Sequence, residues 1–185
     1  MDEEGLVTPR TGNLWAWQDH LYNQDVAIID NTWYYSALKF AKKISDILKN
    51  EEHLAFLNER IESIEKRFVE KFWKGSYFST GNFVDDRANA LSVLVGLCPQ
   101  EYYKDVRKIL LTVFNSSIYM ENYVLMALCE MGYIEDAYKR MMSRYYNLAT
   151  NENTTLWEDF YILGTKNHAW SGAPATIFYN YLKRI

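Results

Sequence analysis

Cysteine is nearly missing from this chain: Cys98 and Cys129 are the two present in 185 residues. Both sit inside apolar runs, so they read as small buried hydrophobes. Their number excludes a disulfide framework, and no metal-ligand spacing occurs, so neither a metal nor another cofactor is called for. An excess of positive charge is also lacking. Lys and Arg number 20 against 24 Asp and Glu, a net charge of −4, and they stand singly or in pairs. That pattern excludes a nucleic-acid surface. No apolar run approaches the roughly 20 residues of a membrane span, which excludes a membrane partner of that kind. Met1-Asp2-Glu3-Glu4 is acidic and no apolar segment follows it, so no signal peptide is expected and the chain reads as soluble. No segment shows strand-length alternation bounded by turns.

What remains is a chain of one-domain length with an ordinary globular composition, 49% apolar and 24% charged. Its aromatics stand out: fifteen Tyr, nine Phe and six Trp make 16%. Tyr and Trp fill helical cores with their polar tips wet. Several here lie instead in polar, loop-like surroundings, where flat faces suit sugar rings.

Residues 1–30 carry little periodicity and read as an irregular aromatic loop segment, with Trp15, Trp17, Asp19 and His20 close together. The densest aromatic loop rarely opens a domain, so this start resembles the middle of something larger. From there the pattern is helical. Asp30 or Asn31 can cap a helix whose stripe runs Trp33, Ala37, Phe40, Ala41, Ile44, Ile47 and Leu48. Leu54 to Phe72 marks an amphipathic partner that ends at Lys74-Gly75. Asp85-Asp86-Arg87 opens a third helix, apolar nearly all round and stopped by Gly96. A fourth runs from about Gln100 to Phe114, and a fifth, again apolar on most sides, from near Tyr119 to Met131. A sixth spans Ile134 to about Leu148, and a last one about Ala175 to Ile185.

Two of these hairpins resemble each other, with Gly96 and Gly132 each closing a buried helix. A repeat of buried helix, tight break and amphipathic helix predicts an all-α fold of antiparallel hairpins, about half of an α/α toroid. All 185 residues form a single domain on this reading.

Three loops, 14–20, 76–86 and 153–172, join hairpin to hairpin and would converge on one mouth. Its walls would be Trp15, Trp17, Tyr77, Phe83, Trp157 and Trp170, and its acids Asp19, Asp85, Asp86, Glu158 and Asp159. Glycosidic bonds are cut by two carboxyl groups, and Glu158 has the look of one, with Trp157 beside it to raise its basicity by desolvation. The same residues admit a plainer reading. Thr155-Leu156-Trp157-Glu158 is also a capping box, His168 alone is compatible with a structural histidine, and Asp85-Asp86 suits a helix dipole.

The motifs then carry a resemblance. Trp17-Gln18-Asp19-His20 comes first, followed by Ala90-Leu91 through Gly96-Leu97 to Pro99, and Tyr123 with Ala127-Leu128 and Gly132. Thr154-Thr155-Leu156-Trp157-Glu158 and His168-Ala169-Trp170-Ser171-Gly172-Ala173-Pro174 complete the series in order. Together they resemble the C-terminal half of the six-hairpin α/α-barrel domain of bacterial α-L-rhamnosidases. Gln18 stands where that family has glycine and His20 where it has tryptophan.

The resemblance implies inverting hydrolysis of terminal rhamnose or a related sugar, with Glu158 as general base. It implies that Asp19, His168 and Trp170 lie at the sugar, and together with the wall residues Trp15, Trp17 and Trp157 they are expected to bind the substrate, a rhamnoside-type glycan. The family's proton donor lies in a segment that nothing in this chain matches, so the chain alone is expected to be inactive. It would associate with the other half of the barrel or form a homodimer. The alternative is a non-catalytic helical module that binds a glycan or a protein. Localisation stays open, because relatives of this kind can be exported.

Overall fold

The computed structural model describes residues 5–8, 18–21, 23–81, 83–153, 155–161 and 164–183. Among the described residues seven α-helices follow one another: α1 (Val26–Leu48), α2 (Leu54–Phe72), α3 (Asp86–Leu94), α4 (Tyr103–Thr112), α5 (Glu121–Glu130), α6 (Ile134–Ala149) and α7 (Ala173–Ile177). A 3-10 turn leads into α4, another into α7, and α7 runs on as one π turn over Phe178–Leu182. No strand forms among the described residues. An isolated antiparallel bridge between Trp73 and Phe78 closes the turn after α2.

α1 packs on α3, α3 on α5 and α5 on α7, giving an inner row; α2, α4 and α6 lie against α1, α3 and α5 as an outer row. The sequence dictates which helix goes where. Every residue of α3 from Asp86 to Val93 is buried, and α5 buries Val124, Leu125, Ala127 and Leu128. α5, apolar on most sides, has to be enclosed, and α3 is enclosed with its polar Asp86, Arg87, Asn89 and Ser92 hydrogen-bonded inside. α2 instead carries one apolar stripe, Leu57, Ile61, Ile64, Phe68 and Phe72, which it turns inward. Phe68 is the centre of that contact, with its ring 5.1 Å from Phe72 and 5.5 Å from Phe78. Each such side chain, fully buried, stabilises the fold by about 1.5–3 kcal/mol. The inner helices α3 and α5 end where expected, at Gly96 and Gly132, whose φ values of +84° and +87° favour glycine.

Two expectations for α1 do not survive. The helix begins at Val26 rather than at Asp30 or Asn31. Asn31 is spent elsewhere: its side chain accepts from the Val7 N–H at 2.8 Å and donates to the Val7 carbonyl at 3.0 Å, pinning an earlier segment. The apolar stripe is the second correction. Phe40, Ile44, Ile47 and Leu48 are 64, 55, 70 and 69% exposed, while Ile28, Ile29, Tyr35 and Leu38 enter the core. The C-terminal half of α1 passes the end of α3, which it meets at Lys39, and runs on beside α2, where Lys42 donates to Asn58. The last helix also starts early, at Ala173, because Pro174 is accepted in a first turn, where its missing N–H costs nothing.

Candidate active site

Four loops meet at one end of the hairpins, and buried ions hold them together. Arg87, in the first turn of α3, donates through Nε to Asp85 Oδ1 at 2.8 Å and through Nη1 to Asp19 Oδ2 at 2.9 Å. The Ser117 N–H, from the loop before α5, reaches the same Asp19 oxygen at 3.0 Å. Asp85 caps α3 by accepting the Arg87 N–H, and also accepts the Asp25 N–H at the start of α1. Asp25 in turn accepts the Thr80 N–H at 2.8 Å.

Arg140 makes a second node from α6. It donates to Asp86 Oδ2 at 2.7 Å and to Glu121 Oε1 at 2.6 Å, and Ser116 donates to the other Glu121 oxygen at 2.5 Å. Burial pushes Glu121 up, but Arg140 and Arg144 outweigh it and hold the carboxyl below its ordinary value. For Asp85 burial wins over Arg87, and its carboxyl lies above the usual value. Charges so enclosed tolerate no loss of a partner.

On this frame stands the loop from Thr155 to Gly172. It doubles back on itself: the His168 N–H donates to the Leu156 carbonyl at 2.6 Å and the Glu158 N–H to the Thr165 carbonyl at 2.9 Å. Phe160 anchors it, edge-on to Tyr145 at 5.1 Å and beneath the Arg144 guanidinium at 4.0 Å. Ser171 donates to the Trp157 carbonyl, and Trp170 Nε1 to the Glu158 carbonyl at 3.1 Å. No helix starts at Thr155, so the capping-box reading of Glu158 falls.

The Glu158 side chain stays partly open to solvent. Its Oε2 accepts the Thr165 N–H at 2.7 Å and the Thr165 hydroxyl at 3.0 Å. These two bonds, aided by His168 and His20, hold the carboxyl below its ordinary value. The direction is opposite to the desolvation expected from Trp157. That indole is buried under the loop, and donated hydrogen bonds prevail over burial at Glu158. His168 stacks on Trp170 with ring centres 3.9 Å apart, and His20 lies parallel to the same indole at 5.8 Å. Tyr119 tilts against it at 5.8 Å.

Glu158, His168 and Trp170 are therefore brought together. Asp19 lies beneath them with its side chain closed to solvent and its oxygens given to Arg87, Ser117 and Leu21. Asp85 and Asp86 are likewise enclosed in the frame and do not line a mouth. Trp157 walls a mostly apolar cavity of about 530 Å³ on the α6 side, with Met141, Tyr145 and Pro174. Asp159 accepts the Tyr161 N–H at 2.6 Å. Trp15 and Trp17 lie outside the described residues. No described contact joins Tyr77 or Phe83 to the Glu158 group.

Arg87 had been read only as part of a helix start, and further residues of the assembly had escaped the sequence reading: Glu121, Arg140, Arg144, Gly164 and Thr165. Two arginines four apart on the stripe Ala137, Met141 and Tyr145 of α6 were a visible signal of buried charge. So was a glycine midway between Glu158 and His168, where a returning loop must turn. Among the described residues no group of His, Cys, Asp and Glu is placed to hold a metal, and no helix is long and apolar enough to cross a membrane.

Residues 9–182 match the family described as the bacterial alpha-L-rhamnosidase 6 hairpin glycosidase domain. The chain belongs to that family. Solved structures share its fold. A rhamnosidase from Klebsiella oxytoca with rhamnose bound superposes with a TM-score of 0.82 at 16% identity, covering 100% of this chain and 39% of its own. The alpha-L-rhamnosidase from Dictyoglumus thermophilum gives 0.72 at 23% identity, over 85% of this chain and 20% of its own. The GH78 family rhamnosidase of Bacillus sp. GL1 gives 0.76 at 16% identity, over 97% and 22%. This chain thus spans well under half of each of those proteins. No curated protein matches it.

Proposed function

We propose that this chain carries the base side of a rhamnoside-cleaving site, with Glu158 taking a proton from the attacking water in an inverting hydrolysis. The supporting observation is the Glu158 carboxylate itself. It is ionised at neutral pH, held through one oxygen by Thr165, and set beside His168 and Trp170. A planar indole with two imidazoles parallel to it offers a stacking face for a sugar and donors or acceptors for its hydroxyls. An inverting pair stands roughly 6.5–9.5 Å apart. Asp19, Asp85, Asp86 and Glu121 are all committed to guanidinium groups, so none of them is the second acid. That acid comes from the remainder of the barrel, and the exposed α1 stripe supports association with a further protein surface, the other half or a second copy.

The same committed carboxylates favour a second reading, a non-catalytic module that binds glycan through the Trp170 face. L-Rhamnose titrated into the chain, followed by tryptophan fluorescence, tests what the two readings share. Saturable binding that is lost in Trp170→Ala is expected; a flat titration removes both. Hydrolysis of an aryl rhamnoside by the assembled barrel separates them. Glu158→Gln is expected to lower turnover by about 10²–10⁴-fold. An unchanged rate would leave only the module.

A further inference from the structure

Thr165 has one hydroxyl proton and two neighbours that compete for it. Its Oγ1 lies 3.0 Å from Glu158 Oε2 and 3.1 Å from His168 Nδ1. A carboxylate only accepts, so the hydroxyl gives its proton to Glu158 and its lone pair is left for the imidazole. Nδ1 must then carry a proton, whichever charge the ring has, and in the neutral ring Nε2 is the bare nitrogen. The ring cannot swing away from this contact freely, because it stacks on Trp170 with planes 19° apart.

Gly164 completes the clamp from the other side. A Cβ at this position would stand 2.6 Å from Glu158 Oε2 and 2.8 Å from its Cβ, closer than such atoms approach. The close passage of the Gly164 backbone over the carboxylate brings the Thr165 N–H to 2.7 Å of Oε2. The pairing is closed by the Glu158 N–H on the Thr165 carbonyl. The hydrogen bonds that the Glu158 side chain accepts among the described residues fall on Oε2.

We propose that Gly164 and Thr165 are positioning residues that aim Glu158 and fix His168 as the Nδ1–H tautomer, so that Nε2 accepts a hydrogen bond from a hydroxyl of the sugar. The assignment rests on the rhamnoside-site reading for the identity of the sugar, and on the loop geometry for the clamp. Second-partner control of this kind decides which ring nitrogen of a histidine faces its ligand.

The chain labelled with ¹⁵N-histidine and ¹³C-glutamate tests both parts without needing turnover. Long-range ¹H–¹⁵N correlations at a pH where the ring is neutral are expected to place the His168 proton on Nδ1. In Thr165→Val the proton should move to Nε2, and the Glu158 ¹³Cδ titration should shift up toward the ordinary value of 4.5. Thr165→Ser should preserve both signatures, and Gly164→Ala should raise the Glu158 midpoint. A wild-type His168 protonated on Nε2 overturns the clamp, as does a Thr165→Val chain in which tautomer and midpoint are unchanged. L-Rhamnose added to the wild type is expected to move the Nε2 resonance. An intact tautomer with no rhamnose response overturns the sugar contact and the function proposed for the site, and leaves the clamp standing.

Discussion

Arg140 and Asp86 meet at 2.7 Å with both side chains closed to solvent, although one lies on the outer helix α6 and the other opens the inner helix α3. The contact ties two hairpins through a single guanidinium that also serves Glu121. Replacing Arg140 by Met roughly keeps the volume and takes the nearest guanidinium from two buried carboxylates, Asp86 and Glu121. A loss of about 3–5 kcal/mol is expected, read from urea unfolding followed by circular dichroism. Lys139→Met, which breaks the exposed pair with Glu135, should leave the urea midpoint nearly unchanged. Equal effects of the two variants would contradict the role given to the buried node.

Acid should weaken the fold through Glu121. Its folded carboxyl lies below the ordinary 4.5, so the unfolded chain binds the proton first as pH falls. The stabilisation is complete above 4.5 and is lost as pH drops through the folded value. Asp85 acts in the opposite sense, since its folded carboxyl lies above 3.8 and takes a proton more readily than in the unfolded chain. Unfolding midpoints measured between pH 7 and pH 3 should therefore decline below 4.5, and the decline should be shallower in Glu121→Gln. A wild-type profile that is flat over this range would refute the assignment.

The two thiols should be inert in the native state. Burial pushes Cys98 up to about 12 and Cys129 up to about 11, so neither is a thiolate at pH 8. Reaction with an aromatic disulfide reagent is expected to be slow in buffer and rapid in urea, with two equivalents released. Fast labelling without denaturant would mean that the turn after α3 or the end of α5 opens locally.

The stripe on α1 should drive association. Phe40, Ile44, Ile47 and Leu48 form an exposed apolar edge on one helix. Sedimentation of the chain is expected to show a dimer or larger species, and Ile44→Lys combined with Ile47→Glu should return it to a monomer. A wild-type chain that stays monomeric at high concentration would rule the stripe out as an interface.

Much of this architecture was legible in the sequence because helical periodicity is a local property. α2 begins at Leu54 as read and ends at Phe72, two residues before the expected Lys74-Gly75, and the glycines at 96 and 132 mark the ends of buried helices. The stripe of α1 was equally periodic, but periodicity tells which residues share a face and not whether a neighbour covers that face. The start of α1 was misplaced because Asn31 looked like a cap, and its bond to Val7 spans a separation no local pattern reveals. At the site, the order of motifs placed Glu158, His168 and Trp170 together. Which carboxylates would be sealed in ion pairs depended on arginines 54 and 68 positions away in the chain. That distance is why Asp19 and Asp86 read as open acids; Asp85 pairs with Arg87 only two residues on, and there it was the burial of the pair that no local pattern revealed.

The buried ion pairs of Arg87 and Arg140 lie at the end of the hairpins where α3 and α5 begin, whereas the turn between α1 and α2 at the opposite end is exposed from Lys49 to His53. The molecule is in effect hinged at its foot and clasped at its rim. Amide hydrogens near Asp86 and Glu121 should exchange only when the whole fold opens, while those in the last turns of α1 should exchange by fraying. Thermal motion would then be spent far from Glu158, and the loop that holds it would ride on the least yielding part of the fold.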